Sequence, residues 1–224
     1  MSKKIAAKPI IRLYSQVGAP ELVFFICLIA MFFIPFIFNT NNTFIEPLLF
    51  TLFAFSLEYL VISWKTKFSR LISIIIILAI LFSWLRLLNV IVTEHFLSIS
   101  EILILLISFY FISKSIFASK NVDLNTLLAA VSGYLLIGMA LGIVVYVAEN
   151  AFPNYFSFST DFSSYDSYYY SFVTMSTLGY GDIAPTNRGG KGLAILITLI
   201  GQFYMVIVMG LIIGKLLASN KSDK

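Results

Sequence analysis

Charge is scarce in this chain: 12% of its 224 residues are Asp, Glu, Lys or Arg, about half of what a soluble domain carries. Cysteine and histidine are scarcer still, one of each. The single cysteine, Cys27, lies inside an apolar run, which excludes an internal disulfide framework and a cysteine-based zinc site and makes it a small packing residue. No membrane-buried Ser/His, paired-carboxylate or His/Asp metal constellation appears in the sequence, so nothing points to an enzyme or to a resident cofactor. What replaces these residues is apolar: 59% of the chain is hydrophobic, with a mean hydropathy of +0.95. This is the composition of a protein whose solvent is the bilayer.

Six stretches approach or exceed the roughly 18–20 apolar residues that span a membrane as helix. They lie near 21–38, 47–64, 71–92, 99–117, 124–148 and 190–218. The first follows a basic segment but no small-residue cleavage site comes after it, so it is expected to be retained. Lys3, Lys4, Lys8 and Arg12 precede the first stretch; Lys65, Lys67 and Arg70 follow the second, Lys114 and Lys120 close the fourth, and Lys215, Lys221 and Lys224 end the last. The other loops hold Glu46, Glu94, Asp161 and Asp166, with only Arg188 and Lys191 as cations. That alternation predicts both termini in the cytoplasm. The net charge of +4 then reports topology, and no nucleic-acid partner is implied.

Between the fifth and sixth stretches both loop ends must lie outside. The loop contains "SSYDSYYYSFVTMST", which predicts a helix over about 166–177 with Ser163, Ser164 and Asp166 as candidate N-caps. Some 12 residues give about 18 Å of helix, too short for a hydrocarbon core of about 30 Å. Such a segment dips in and returns, and its return stretch, 177–182, is non-helical backbone at membrane depth. That is tolerated only where protein buries it or it lines a water-filled path. Gly179 and Gly181 can take left-handed dihedrals; alternating these with right-handed ones turns successive carbonyls to one side. The hydroxyl of Thr177 adds another oxygen. A ladder of oxygens suits a bare cation.

The stretch "TLGYGD", Thr177 to Asp182, resembles the selectivity filter of the potassium-channel superfamily, in which carbonyl rings replace the ion's hydration shell. The resemblance covers about 124–218, as outer helix, pore helix (166–177), filter (177–182) and inner helix (190–218). It implies an all-α integral membrane protein with six transmembrane helices and a re-entrant pore helix, assembled as a fourfold homotetramer around a central pore. It implies passive K+ conduction, with K+ as permeant ion and no cofactor, in the plasma membrane (the inner membrane if bacterial). By position, the K+ ligands are the Thr177 hydroxyl and the carbonyls of Thr177, Leu178, Gly179 and Tyr180, supported by Gly181 and Asp182. Tyr169 and Tyr170 stand where much of the family has two tryptophans bracing the filter, so Tyr170 is expected to face Tyr180 and Tyr169 to approach Asp182. An interfacial aromatic belt is the other reading of these tyrosines. Leu178 replaces the usual valine or isoleucine, and Val173 stands where some relatives place a glutamate. Alternatives of the same fold or chemistry are a weakly selective cation channel and a non-conducting, potassium-binding sensor or partner subunit.

In the last stretch, Gly201 has the spacing of the family's hinge glycine. Met205, Met209 and Ile213 recur every four residues on one face, expected to line the cavity and lower constriction with Gln202, or else to be ordinary packing. Gly138/Gly142 and Gly210/Gly214 are small-residue pairs for close helix approach. "RGGKG" at 188–192 follows no strand and lacks phosphate-loop spacing. Residues 21–117 form a four-helix unit, yet its fourth stretch, "ISEILILLISFYFISKSIF", holds one cation, Lys114, so no voltage-sensor array is present. Glu58 and Arg86 lie inside the second and third stretches and are expected to face inward, pairing with each other or with Glu101. About 20 residues precede the first stretch and about six follow the last, leaving no room for a soluble ligand-binding domain; the basic start, 1–20, is a cytoplasmic segment that could lie on the anionic inner leaflet.

Overall fold

A computed structural model describes residues 19–38, 44–65, 67–85, 94–119, 122–157 and 162–222, without side chains at 94–98 and 219–222. The basic residues before the first stretch and Arg86 lie outside it. Seven helices are found among the described residues: α1 (Ala19–Phe38), α2 (Ile45–Ser63), α3 (Ser69–Leu85), α4 (Glu94–Ala118), α5 (Leu124–Ala151), α6 (Ser164–Met175) and α7 (Arg188–Ser222). The only β pairing among those residues is an isolated bridge between Phe156 and Pro185. Five helices, α1, α2, α4, α5 and α7, are long and apolar enough to cross a membrane. The 17 described residues of α3 rise only about 26 Å.

Local chemistry sets the ends. α2 stops where Lys65 turns left-handed at φ 46°, with the Trp64 N–H bonded back to the Val61 carbonyl. α5 starts at Asp123, whose carboxylate accepts from the Thr126 N–H at 2.8 Å and from its hydroxyl at 2.7 Å, an N-cap worth about 1 kcal/mol. α6 starts with a reciprocal capping box: Ser163 Oγ accepts from the Asp166 N–H at 3.3 Å, and Asp166 Oδ2 accepts from the Ser163 N–H at 2.9 Å. The helix therefore begins two residues before 166 and ends two before Thr177.

One buried cluster runs through Phe24 and Leu28 of α1, Phe53 and Leu57 of α2, Ile104 and Ile112 of α4, Ala129 and Met139 of α5, and Val208 and Ile212 of α7. The four-helix unit and the last two long helices thus share a single core. α3 turns Leu71, Ile74, Ile77 and Leu81 outward, a face that only lipid or another chain can cover. α1 and α7 are the least enclosed of the long helices.

α6 lies in a seat made for it. A Cβ on Gly138 would stand 2.4 Å from the Phe172 ring, and one on Gly142 2.3 Å from Tyr168 Cδ1. The missing side chains on α5 let the short helix approach to backbone distance, and Ser171 Oγ donates to the Gly138 carbonyl at 2.8 Å. From the opposite side α1 brings Phe32 onto Phe172, with centroids 4.7 Å apart, and Phe36 edge-on to Tyr165 at 5.4 Å.

Candidate functional site

Beyond α6 the chain turns sharply on itself. Thr177, Gly179 and Gly181 have φ of +62°, +57° and +79°, while the intervening Leu178 and Tyr180 stay outside the left-handed region. The amides point backwards onto the end of α6: the Thr177 N–H donates to the Thr174 carbonyl at 3.1 Å, Leu178 to the Val173 carbonyl at 3.0 Å, and Gly179 to the same oxygen at 3.4 Å. Among the described residues no donor reaches the carbonyls of 177–180. A backbone that alternates handedness residue by residue, with its amides used on one side, carries a row of free oxygens on the other. Composition pointed to the two glycines as left-handed positions. It did not point to Thr177, where a β-branched residue holds a conformation that is uncommon outside glycine.

Space is not why the glycines are there: a Cβ on either Gly179 or Gly181 would meet nothing within 4 Å. Their dihedrals are the reason. Leu178 and Tyr180 are 59% and 67% exposed within one chain, so their side chains find no cover from their own subunit.

The two bracing candidates part ways. The Tyr169 hydroxyl donates to Asp182 Oδ2 at 2.7 Å. That hydrogen bond pushes the Tyr169 phenol up to about 12 and holds the Asp182 carboxyl below its ordinary value. Tyr170 turns inward: it is buried, its ring tilts against Phe156 at 4.7 Å, and it shares a second core cluster with Met175 and Ile197.

A scaffold that sequence reading missed holds the far side of the turn. Glu149 accepts from the Asn154 and Phe156 amides at 2.8 and 3.0 Å. The Ser157 amide donates to the Ala184 carbonyl at 2.8 Å, and the Thr186 amide to the Tyr155 carbonyl at 2.9 Å. Gly189 and Gly190 of "RGGKG" pack under Tyr155, where a Cβ would come within 2.5 and 2.3 Å of it. These glycines serve packing. The only sequence signal was the pairing of two glycines with an aromatic 34 positions before them, which no local pattern reveals.

On α7, Gly201 faces the end of α6: a Cβ there would stand 2.2 Å from Met175 Cγ and 2.6 Å from the Met175 carbonyl oxygen. The helix continues through this position without a break. Tyr204 donates to the Ala130 carbonyl at 2.7 Å, and Val208 and Ile212 are buried on the same side. Gln202, Met205, Met209 and Ile213 stand on another face, all exposed within one chain. In the four-helix unit, Ser73 donates to Glu58 Oε1 at 2.6 Å. Glu58 Oε2 is buried without a hydrogen bond among the described residues. Its expected partner Arg86 lies outside them, and Glu101 instead lines a cavity of about 140 Å3 with Glu46, Tyr165 and Tyr168.

Residues 133–218 match the model of a family described as "Ion channel". Among curated relatives, the chain is 29% identical over 82 residues to the A-type voltage-gated potassium channel KCND3 of Rattus norvegicus, covering 36% of this chain and 12% of that one. It is likewise 29% identical over 82 residues to potassium voltage-gated channel subfamily A member 10 of Mus musculus, covering 36% of this chain and 16% of the relative. Subfamily A member 7 of Mus musculus is 34% identical over 70 residues, 31% of this chain and 14% of its own length. The chain thus spans under a fifth of the length of these relatives. No solved structure matches it significantly.

Proposed function

We propose that the chain is a member of the potassium-channel superfamily and a K+-selective channel, conducting ions passively through a ring of filter loops; the matches to an ion-channel family and to potassium channels support this reading. The observation that carries this reading is the alternation of positive φ at Thr177, Gly179 and Gly181, with the amides drawn back onto α6. It leaves the Thr177 hydroxyl and the carbonyls of Thr177, Leu178, Gly179 and Tyr180 as K+ ligands.

One loop offers oxygens from one side only. Four copies around a fourfold axis close the ring, and the mostly uncovered α7 supplies surface for that assembly. Tyr170 then braces the filter from the core, and Tyr180 packs against a neighbouring subunit. K+ enters as its water is exchanged for protein oxygen, and adjacent ions drive one another along the row. The C-terminal end of α6 stops just before the filter, and its partial negative charge favours a cation below it. Gln202, Met205, Met209 and Ile213 line the cavity, and the apolar side chains at 209 and 213 form a constriction that can dewet. Gly201 hinges the inner helix. The subunit crosses the plasma membrane six times, with residues 21–117 as a four-helix unit, 124–218 as the pore and both termini in the cytoplasm.

The reversal potential of reconstituted protein under opposed K+ and Na+ gradients tests the reading. A value near the K+ equilibrium potential is expected. A value near zero with robust current means that Leu178 has loosened the filter and the channel is weakly selective. Absence of current with K+ binding by calorimetry points to a non-conducting sensor.

A further inference from the structure

Lys215 sits near the inner end of α7, and its ammonium is spent on backbone. Nζ donates to the Ser119 carbonyl at 2.6 Å, to the Phe117 carbonyl at 3.4 Å and, closely, to the Ile116 carbonyl. These oxygens close the C-terminus of α4, where a helix leaves its last four carbonyls without intrahelical partners and carries a partial negative charge. An ammonium with three donors directed at three such oxygens caps that helix from outside its own chain segment. Its partners among the described residues include no carboxylate.

The described residues beside this cap are tied to one another. α4 ends at Ala118 and α5 begins at Leu124. The Ser119 and Thr126 hydroxyls lie at hydrogen-bond distance, 2.9 Å apart, and Asp123 caps α5. Among the described residues, Lys215 is a direct polar tie from the four-helix unit to the inner end of α7, beside the apolar contact of Val208 and Ile212 with the shared core.

Its place around the helix gives the tie a direction. Lys215 continues the buried row of Val208 and Ile212, seven and three positions beyond them. Ile213 lies two residues before Lys215, about 200° around the helix, and is 51% exposed. Force applied through Lys215 therefore draws α7 away from the side that Ile213 and Met209 face.

We propose that Lys215 is a positioning residue for conduction: by capping α4 it holds the inner ends of α7 outward and keeps the apolar constriction from closing. The inference rests on the channel reading above. Loss of the ammonium frees α7 to move toward the axis, where Met209 and Ile213 of the four subunits meet and exclude water.

The test compares wild type, Lys215→Met and Lys215→Arg in planar bilayers. K215M keeps the length of the stem and removes the donors. It is expected to lower open probability at least tenfold while the reversal potential under opposed K+ and Na+ gradients stays unchanged; K215R, which retains donors and charge, recovers to within about threefold of wild type. An open probability for K215M within threefold of wild type, or above it, overturns the inference while leaving the channel reading intact, as does a K215R that stays as low as K215M. If K215M does not assemble, Lys215→Gln takes its place. If wild type itself passes no current, the channel reading fails separately. The latch is then judged by modification of Ile213→Cys in a Cys27→Ser background by a charged thiol reagent applied from inside: at least tenfold slower labelling without Lys215 supports it, and equal rates sink it.

Discussion

The hydroxyl of Tyr165, in the first turn of α6, donates to Glu46 Oε1, in the first turn of α2, at 2.5 Å across 119 positions of sequence. A phenol and a carboxylate meet where α6 touches α2. A hydrogen bond to a charged group contributes about 1.5–3 kcal/mol, and less where water competes; both residues are half-buried, which favours the low end. Tyr165→Phe and Glu46→Gln are each expected to cost about 1–2 kcal/mol. In a double-mutant cycle on thermal unfolding in detergent, the pair should couple by about 1 kcal/mol. Strict additivity would mean that the contact contributes nothing.

At the outer mouth, Tyr169 and Asp182 give acid and base sensitivities of opposite sign. Asp182 has its carboxyl lowered by the Tyr169 hydroxyl, so the contact's stabilisation is complete above the ordinary carboxylate value of about 3.9 and is lost as pH falls through the lower native value. Tyr169 is raised to about 12; its share is complete below about 10 and disappears as pH climbs towards 12. Tyr169→Phe should move Asp182 protonation to higher pH, read as block of K+ current by external acid beginning earlier. Asp182→Asn should return the Tyr169 phenolate transition towards about 10 in an ultraviolet titration. Unmoved midpoints in both variants would show that the two side chains do not interact.

Gly201→Ala pits helix propensity against packing. Alanine improves an isolated helix by about 1 kcal/mol. Its Cβ would lie 2.2 Å from Met175 Cγ and 2.6 Å from the Met175 carbonyl, and the second of these is backbone that cannot rotate away. Overpacking of this kind costs about 1–3 kcal/mol, so the variant should be less stable and should shift the end of α6. A rise in thermal midpoint would contradict this, and would return Gly201 to the hinge role alone.

Gly179 invites the opposite experiment. Its φ of +57° disfavours an L side chain on conformational grounds, yet a Cβ there has nothing within 4 Å. L-Alanine should cost about 1–2 kcal/mol of strain and abolish K+ binding by calorimetry. D-Alanine, placed by chemical ligation, fits a left-handed position and should preserve binding. Equal loss for both enantiomers would mean that open space, not the dihedral, is what the position requires.

These outcomes separate what was legible in the chain from what was not. Helix positions were legible because apolar runs and polar breaks carry them: Asp123 and Ser163 cap helices, and a pore-loop helix too short to cross was readable from length alone. The resemblance to the potassium-channel filter implied that Tyr169 approaches Asp182, 13 positions on, and the two are hydrogen-bonded. Contacts between distant segments were not legible. Glu46 and Tyr165, Lys215 and the end of α4, and Gly190 under Tyr155 have no local signature, since each depends on how whole helices are set against one another. Thr177 escaped for another reason: its residue type argues against a left-handed dihedral, and only the tertiary demand of the turn overrides it.

The seat of α6 has a consequence for the order in which the protein is made. Gly138, Gly142, Phe32, Phe36 and Glu46 all precede α6 in the chain, while Asp182, Ile197 and Gly201, its partners on the other side, come later. Synthesis runs from the N-terminus, so one wall of the mould is made while the segment that it shapes is still emerging from the ribosome. The chain can therefore seat α6 against α1, α2 and α5 first, with α7 closing over it afterwards.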